Sequence, residues 1–418
     1  MGIVRFPVEC AGCRGGILLR LAVGHDERQP FFFVCPQCGA VTRAALVWPG
    51  GAETRLELFE GRLLTSEEGL TNVVSINPEY PSIPGASSLE EPEGSAFLMF
   101  SRLLGMERLL GFQSATGQAR ALVAQEWGGL QRLTTYYLNR DWGHFDPAVA
   151  ELLPDTDLNF AAEWNRDHVL HFLYDVLLVP FVALDTEPLY VEMKREWNGV
   201  WSEKGSHFPE MVRFAKSEVA TQHFRDVQRD LFGHIGRYIG LLSALMPGLL
   251  CNMLPLEHQP KVDHELRLFR DDYELLRDLY IQVFETCHKA LRWVIGAANT
   301  DQSGDPNLFS PEVSGASKRD APKSLDAFDG ETSAKKRRLL AAVSGWDKRW
   351  DVLFDRKMRN DIGHASAHHD FATGLILRTA GPPIAYTRFV ARTQRLVHPL
   401  LASLGALKLV RIYSFAGG

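Results

Sequence analysis

Residues 262–297 read VDHELRLFRDDYELLRDLYIQVFETCHKALRWVIGA. Leu266, Phe269, Tyr273, Leu276, Tyr280, Val283, Cys287, Leu291 and Val294 recur at spacings of three and four, the period of one helical face. The stripe is wide, and it predicts one long helix over 262–297 with a buried side. Such a helix buries its stripe against other helices, so its surroundings should be helical too. FLMFSRLLGMERLLG (97–111) and HFRDVQRDLFGHIGRYIGLLSALM (223–246) carry the same period. The expected fold class is therefore mainly α, built of helical bundles.

Working outward, the chain divides by composition. INPEYPSIPGASSLEEPEGS (76–95) is rich in Pro, Ser and Glu, which reads as an exposed linker within 61–96. A central helical domain is expected over 97–255 and a second helical domain over 262–418. Within the second, residues 298–334 are polar, contain Pro and Gly and lack periodicity, which predicts a flexible insertion. A helix from Lys335 into the 360s follows, with Leu339, Val343, Trp346, Trp350, Leu353 and Phe354 on its buried side. TGLILRTAGPPIAYTRF (373–389) suggests a short β-hairpin around Gly-Pro-Pro, and VARTQRLVHPLLASLGALKLV (390–410) a closing helix.

The first 60 residues are different. Among short β-rich runs they hold Cys10-Ala-Gly-Cys13 and, after 21 residues, Cys35-Pro-Gln-Cys38-Gly. Two residues between cysteines let both sulfurs reach one ion from a tight turn, and two such turns supply the four thiolates of a closed, structural Zn²⁺ site. This region resembles the zinc-ribbon family. An ion with four sulfur ligands has no open position, so no catalytic cofactor is expected there. Cys251 and Cys287 stand alone and read as buried thiols.

The formal charge is −6, with 45% hydrophobic and 23% charged residues, so a nucleic-acid partner must rest on a local patch. VLHFLYDVLLVPFVAL (169–184) is interrupted by His171, Asp175 and Pro180, and YIGLLSALMPGLL (238–250) is short for a bilayer. Both read as core helices. The expectation is a cytoplasmic protein without a membrane partner. His168 and His171 in AAEWNRDHVLHF read as ordinary helix residues. Gly-rich phosphate loops and Ser-His-Asp signatures are lacking, which argues against NTP hydrolysis.

The most informative chemistry lies in DRKMRNDIGHASAHHDF (355–371), which holds Arg359, Asn360 and His364. A guanidinium grips a phosphate through two parallel hydrogen bonds and stays charged. An imidazole titrates near neutrality, so it can take a proton from a ribose 2′-hydroxyl or give one to a leaving 5′-oxygen. On an ideal helix Asn360 and His364 share a face, whereas Arg359 lies about 140° away from His364. Two motifs meeting across a two-fold axis can close around a phosphate more easily than one. Between Lys335 and Arg359 nine basic residues, including Lys348, Arg349, Arg356 and Lys357, stand against three acidic ones, a local excess suited to RNA. His364 and His368 sit one turn apart, which keeps a metal-dependent hydrolase as a rival.

RNDIGH, on a helix that follows a long helix, resembles the HEPN superfamily, and the resemblance covers roughly residues 262–418. It implies a metal-independent endoribonuclease working as a homodimer or higher even oligomer, with two motifs in one composite site. Products would carry 2′,3′-cyclic phosphate and 5′-hydroxyl ends. It implies Arg359 on the scissile phosphate, His364 as general acid or base, and Asn360 orienting the motif. Bacterial members are often toxins or antiphage effectors, which implies a regulatory or trigger protein as a further partner. An inert HEPN-like part that binds RNA or nucleotides, or serves as a scaffold, is the alternative.

Overall fold

The computed structural model describes residues 2–48, 53–83, 96–153, 164–185, 189–201, 205–309, 321–344, 350–351, 353–363, 367–378 and 381–416. The fold is mainly α with three small sheets. The chain forms two compact units, each assembled from separated stretches: Met1–Ser114, Gly240–Asp278 and Met358–Gln394 in the first, and Ala115–Ile239, Leu279–Lys357 and Arg395–Gly418 in the second.

In the first unit, β1 (Ile3–Glu9), β2 (Gly16–Ala22), β6 (Arg62–Leu63) and β7 (Val73–Ile76) form a sheet of order β6-β1-β2-β7. The strands β3 (Arg28–Val34), β4 (Val41–Val47) and β5 (Arg55–Leu58) form a second, of order β3-β4-β5. Alternation sets what is inside. Val8, Ile17, Leu19, Leu21, Phe31, Phe33, Leu46 and Ile76 make a common core with Cys10 and Cys35, as a two-residue period requires. Part of the expected 61–96 linker is thus sheet: β6 pairs with β1, and β7 runs parallel to β2.

The helix expected from 262 starts at Tyr273 and runs to Ser303. Residues before it do other work. The backbone of Arg267 exchanges two hydrogen bonds with Ser82, at 2.9 and 2.8 Å, and Phe32 N–H donates to Phe269 O at 3.3 Å. Phe269 therefore serves the β-layer, and Leu266 closes a short helix, Gln259–His264, its N–H donating to Lys261 O at 2.9 Å, although their spacing fits one long helix. Tertiary partners outweigh a weak local preference here. A buried Arg270–Asp272 ion pair of 2.5 Å lies just before the first turn.

Other expected helices are broken. The closing helix is two, Tyr386–Gln394 and Val397–Phe415. Pro399 lacks the N–H that would bond Arg395 O and so favours a break. The helix expected from Lys335 is Ser333–Ser344 followed by Arg356–Gly363, with Trp350, Leu353 and Phe354 buried between them. Trp346 and the Val343 side chain lie outside the described residues. The expected insertion is folded in part. Leu325–Asp329 is a helix with Leu325 and Phe328 buried, held by Arg292, which bonds Asp326 at 2.9 Å and Asp329 at 2.5 Å. The expected hairpin carries a third strand: β8 (His368–Asp370), β9 (Leu375–Leu377) and β10 (Ile384–Ala385) pair antiparallel in the order β10-β9-β8.

In the second unit, Val397–Phe415 packs on helices Trp164–Ala183, Leu189–Gly199 and Phe208–Val219. Among the described residues one stretch, Tyr386–Phe415, has the length and hydropathy of a membrane span, and 78% of its apolar window is buried in the fold.

In the first unit, helix Leu242–Asn252 packs against Tyr386–Gln394. At Gly248 a Cβ would stand 2.5 Å from Val390 O. Gly→Ala inside a helix ordinarily stabilises by about 1 kcal/mol. Here the clash with backbone reverses the sign. Gly248→Ala should lower stability by about 1–3 kcal/mol, read as a fall in the denaturation midpoint, whereas Gly233→Ala, with open space around its Cβ, should not.

Candidate metal centre and the Arg359 helix

The two cysteine turns have the same backbone construction. Cys10 N–H donates to Gly15 O at 3.0 Å and Arg14 N–H to Cys10 O at 2.9 Å. Cys35 N–H donates to Ala40 O at 2.8 Å and Gly39 N–H to Cys35 O at 2.9 Å. The residue after each second cysteine is left-handed, Arg14 at φ 57° and Gly39 at φ 73°. Glycine adopts that conformation without strain and arginine does not, so the first turn is the costlier one. Each turn closes a strand end, which is how residues far apart in sequence come to face each other.

The four sulfurs lie within 4.8 Å of one another, with Cys10 to Cys38 and Cys13 to Cys35 each 3.7 Å apart. Sulfurs held at about 2.3 Å from a tetrahedral ion are separated by roughly 3.8 Å, so the donor set fits one metal ion with four thiolates. Gly12 N–H donates to Cys10 Sγ at 3.3 Å. At Cys10, burial raises the thiol pKa, but the amides of Cys13 and Gly12 outweigh it and bring the value to about 7. At Cys35, burial prevails and pushes the thiol up to about 12. Without a metal the cluster resists holding several negative charges; a dication removes that obstacle. Cys251 and Cys287 are buried, and burial raises both to about 12, as expected of inert thiols.

Helix Arg356–Gly363 sets the motif residues. Met358 and Ile362, four apart, are buried, while Arg356 and Lys357 are exposed and Arg359 and Asn360 half-buried. The Arg359 guanidinium donates to Asn360 Oδ1 at 3.3 Å. Asp361 is taken by Arg378 in an ion pair, and Arg378 also donates through Nε to Pro382 O at 2.8 Å. The acid beside the motif thus ties its helix to the β9–β10 turn. His364, Lys348 and Arg349 lie outside the described residues. His368 is exposed, and the Cys10-Cys13-Cys35-Cys38 group is the one metal-capable cluster among the described residues.

The basic run has a structural share. Lys335 pairs with Glu331 at 2.6 Å, Arg337 with Asp351 at 2.8 Å, and Lys336 is buried with its ammonium 5.3 Å from the Phe328 ring centroid. His171, read as an ordinary helix residue, is buried, and burial holds its pKa well below the usual value. Its neighbour Asp167 is fully buried, accepting hydrogen bonds from Tyr137 and, at 2.6 Å, from Arg411 Nε.

Sequence reasoning missed a cavity of about 310 Å³ in the first unit. Its walls come from four stretches distant in the chain, each of which reads as ordinary core or turn, so no local signal announces it. No protein-family model, characterised protein or solved structure matches this chain.

If one ion organises the four sulfurs, Cys35→Ser should expel it and melt the N-terminal strands. The expected readout is loss of about one metal equivalent in elemental analysis together with loss of β-sheet signal. Acidification should release the metal from the native protein, because each thiolate must take a proton to leave it. Native protein free of metal after gentle purification would contradict this.

Proposed function

We propose that this chain is a metal-independent endoribonuclease of HEPN type, acting as a homodimer, with a structural Zn²⁺ on Cys10, Cys13, Cys35 and Cys38. The observation that carries the reading is the RNDIGH stretch, whose residues 359–363 end a helix that buries Met358 and Ile362, exposes Arg356 and Lys357 and leaves Arg359 and Asn360 half-buried. In this reading Arg359 grips the scissile phosphate. His364 takes the proton of the ribose 2′-hydroxyl, the 2′-oxygen attacks phosphorus, and the 5′-oxygen leaves and is protonated by the imidazole of a second copy. Electrons move within the RNA alone, so no metal or oxidant is required. A role as a toxin or antiphage effector under a trigger protein fits such unrestrained chemistry.

One observation favours a second reading, an inert RNA-binding or scaffold protein: Arg359 is already bonded to Asn360 within its own helix.

Incubation with total RNA and mapping of product ends separates the two. Cyclic-phosphate ends are expected, reduced about 10²–10⁴-fold in His364→Ala or Arg359→Ala, with thermal stability little changed. Equal cleavage by the double variant rejects the assignment. Binding without cleavage favours the scaffold.

A further inference from the structure

The cavity in the first unit combines three kinds of surface. One wall is aromatic: Phe32 lies 5.6 Å from Phe269 and 4.6 Å from Phe371, centroid to centroid, and the Arg43 guanidinium sits 4.8 Å from the Phe371 ring. Another wall is an open strand edge. β7 is the last strand of its sheet. Its ladder to β2 uses Asn72 O, which accepts from Leu18 N–H at 2.8 Å, and the backbone of Val74. In a parallel ladder this leaves the N–H and C=O of Val73 and Ser75 pointing to the open side, and both residues line the cavity. The Ser75 hydroxyl has no hydrogen-bond partner among the described residues. The third element is charge: Arg267 lines the cavity, its Nη1 donates to Leu266 O at 3.0 Å, and it has no carboxylate partner among the described residues.

These parts are held in place before any ligand arrives. Asp370 Oδ1 accepts from Ala372 N–H at 3.0 Å and Oδ2 from the Thr373 hydroxyl at 2.6 Å, while Gly374 N–H donates to Asp370 O at 2.8 Å. Tyr386 N–H donates to Gly374 O at 3.1 Å. That turn presents Phe371. Gly374 has φ +67°, and a Cβ there would stand 2.5 Å from Arg267 Cδ, so glycine serves both the turn and the close approach of the arginine. Pro36, inside the second cysteine turn, also lines the cavity.

We infer that this cavity is a nucleotide subsite for single-stranded RNA, in which a base lies on the Phe371 side and a backbone phosphate meets Arg267. The inference rests on the RNA reading above. An aromatic wall calls for a flat apolar face, an open strand edge for hydrogen-bonding groups at the rim of that face, and a guanidinium without a carboxylate partner for an anion. A nucleotide carries all three. The volume is at the small end of ligand pockets, which run from roughly 300 to 1,000 Å³, and suits one base rather than a folded helix. Phe371 directly follows β8, which begins four residues after His364 in sequence.

The test uses full-length protein in a His364→Ala background, fluorescein-labelled U12 and A12 RNA, and anisotropy across a salt series. Cleavage is assayed separately in the unaltered background. Phe371→Ala should weaken binding about five- to a hundredfold, and Phe371→Trp should restore it. Arg267→Ala should weaken binding and reduce the slope of log affinity against log salt by about one. Metal content and melting temperature confirm folding of each variant. Cleavage by the native protein with affinity and salt slope unchanged in the pocket variants overturns the subsite and leaves the nuclease standing. Pocket-dependent binding without cleavage keeps the subsite and removes the nuclease. If an alternating Val-Thr hexapeptide binds, is lost in Phe371→Ala, and RNA does not bind, the edge belongs to a peptide strand and the inference falls.

Discussion

In the first unit four sulfur atoms converge on one point, and this constraint sets the account of the β-layer. Its sheets are small, with strands of two to seven residues, and they share one buried core that includes Cys10 and Cys35. Each cysteine turn sits at a strand end and closes by the same pair of backbone bonds. An ion bound by all four thiolates would lock the β1–β2 and β3–β4 hairpins against each other, with Cys10 and Cys35 already inside the common core. Metal binding and folding of this layer would then be one event. The consequences reach the cavity, since Phe32, Val34 and Pro36 lead into or belong to the second turn.

The second unit carries several clusters of buried charge. Asp167 has its Arg411 and Tyr137 partners. The Asp185 side chain is fully buried between Arg395 at 2.8 Å and His398 at 3.3 Å, and His398 Nδ1 accepts from Tyr190 N–H at 3.1 Å. Arg292 gathers Glu218, Asp326 and Asp329. Burying such groups is costly, and removing one partner strands the other, at about 3–5 kcal/mol. Their effect is positional. Each ties together helices or segments far apart in sequence, including the helix that follows residues 310–320.

How far the sequence foretold this varies by element. The cysteine spacing carried its own geometry, because ligand number and turn length leave little freedom, and the four sulfurs do converge. The mainly α class followed from the three-to-four spacing and holds. Leu266 and Phe269 misled, since a period of three or four does not distinguish a helical face from buried residues of an irregular segment between two helices. Pro399 was present as a break signal inside a run that otherwise looks continuous. Val73–Ile76 sits in a Pro- and Ser-rich neighbourhood, and only its tertiary partner β2 makes it a strand. The cavity could not be read at all: Phe32, Arg267 and Phe371 acquire a shared role only when the chain brings them together.

The most direct test of the central claim is sulfur-ligand counting by X-ray absorption at the metal edge of the native protein. The account predicts zinc with four sulfur neighbours at about 2.3 Å and no lighter atom in the first shell. Nitrogen or oxygen ligands, fewer than four sulfurs, or an iron–sulfur signature would contradict it.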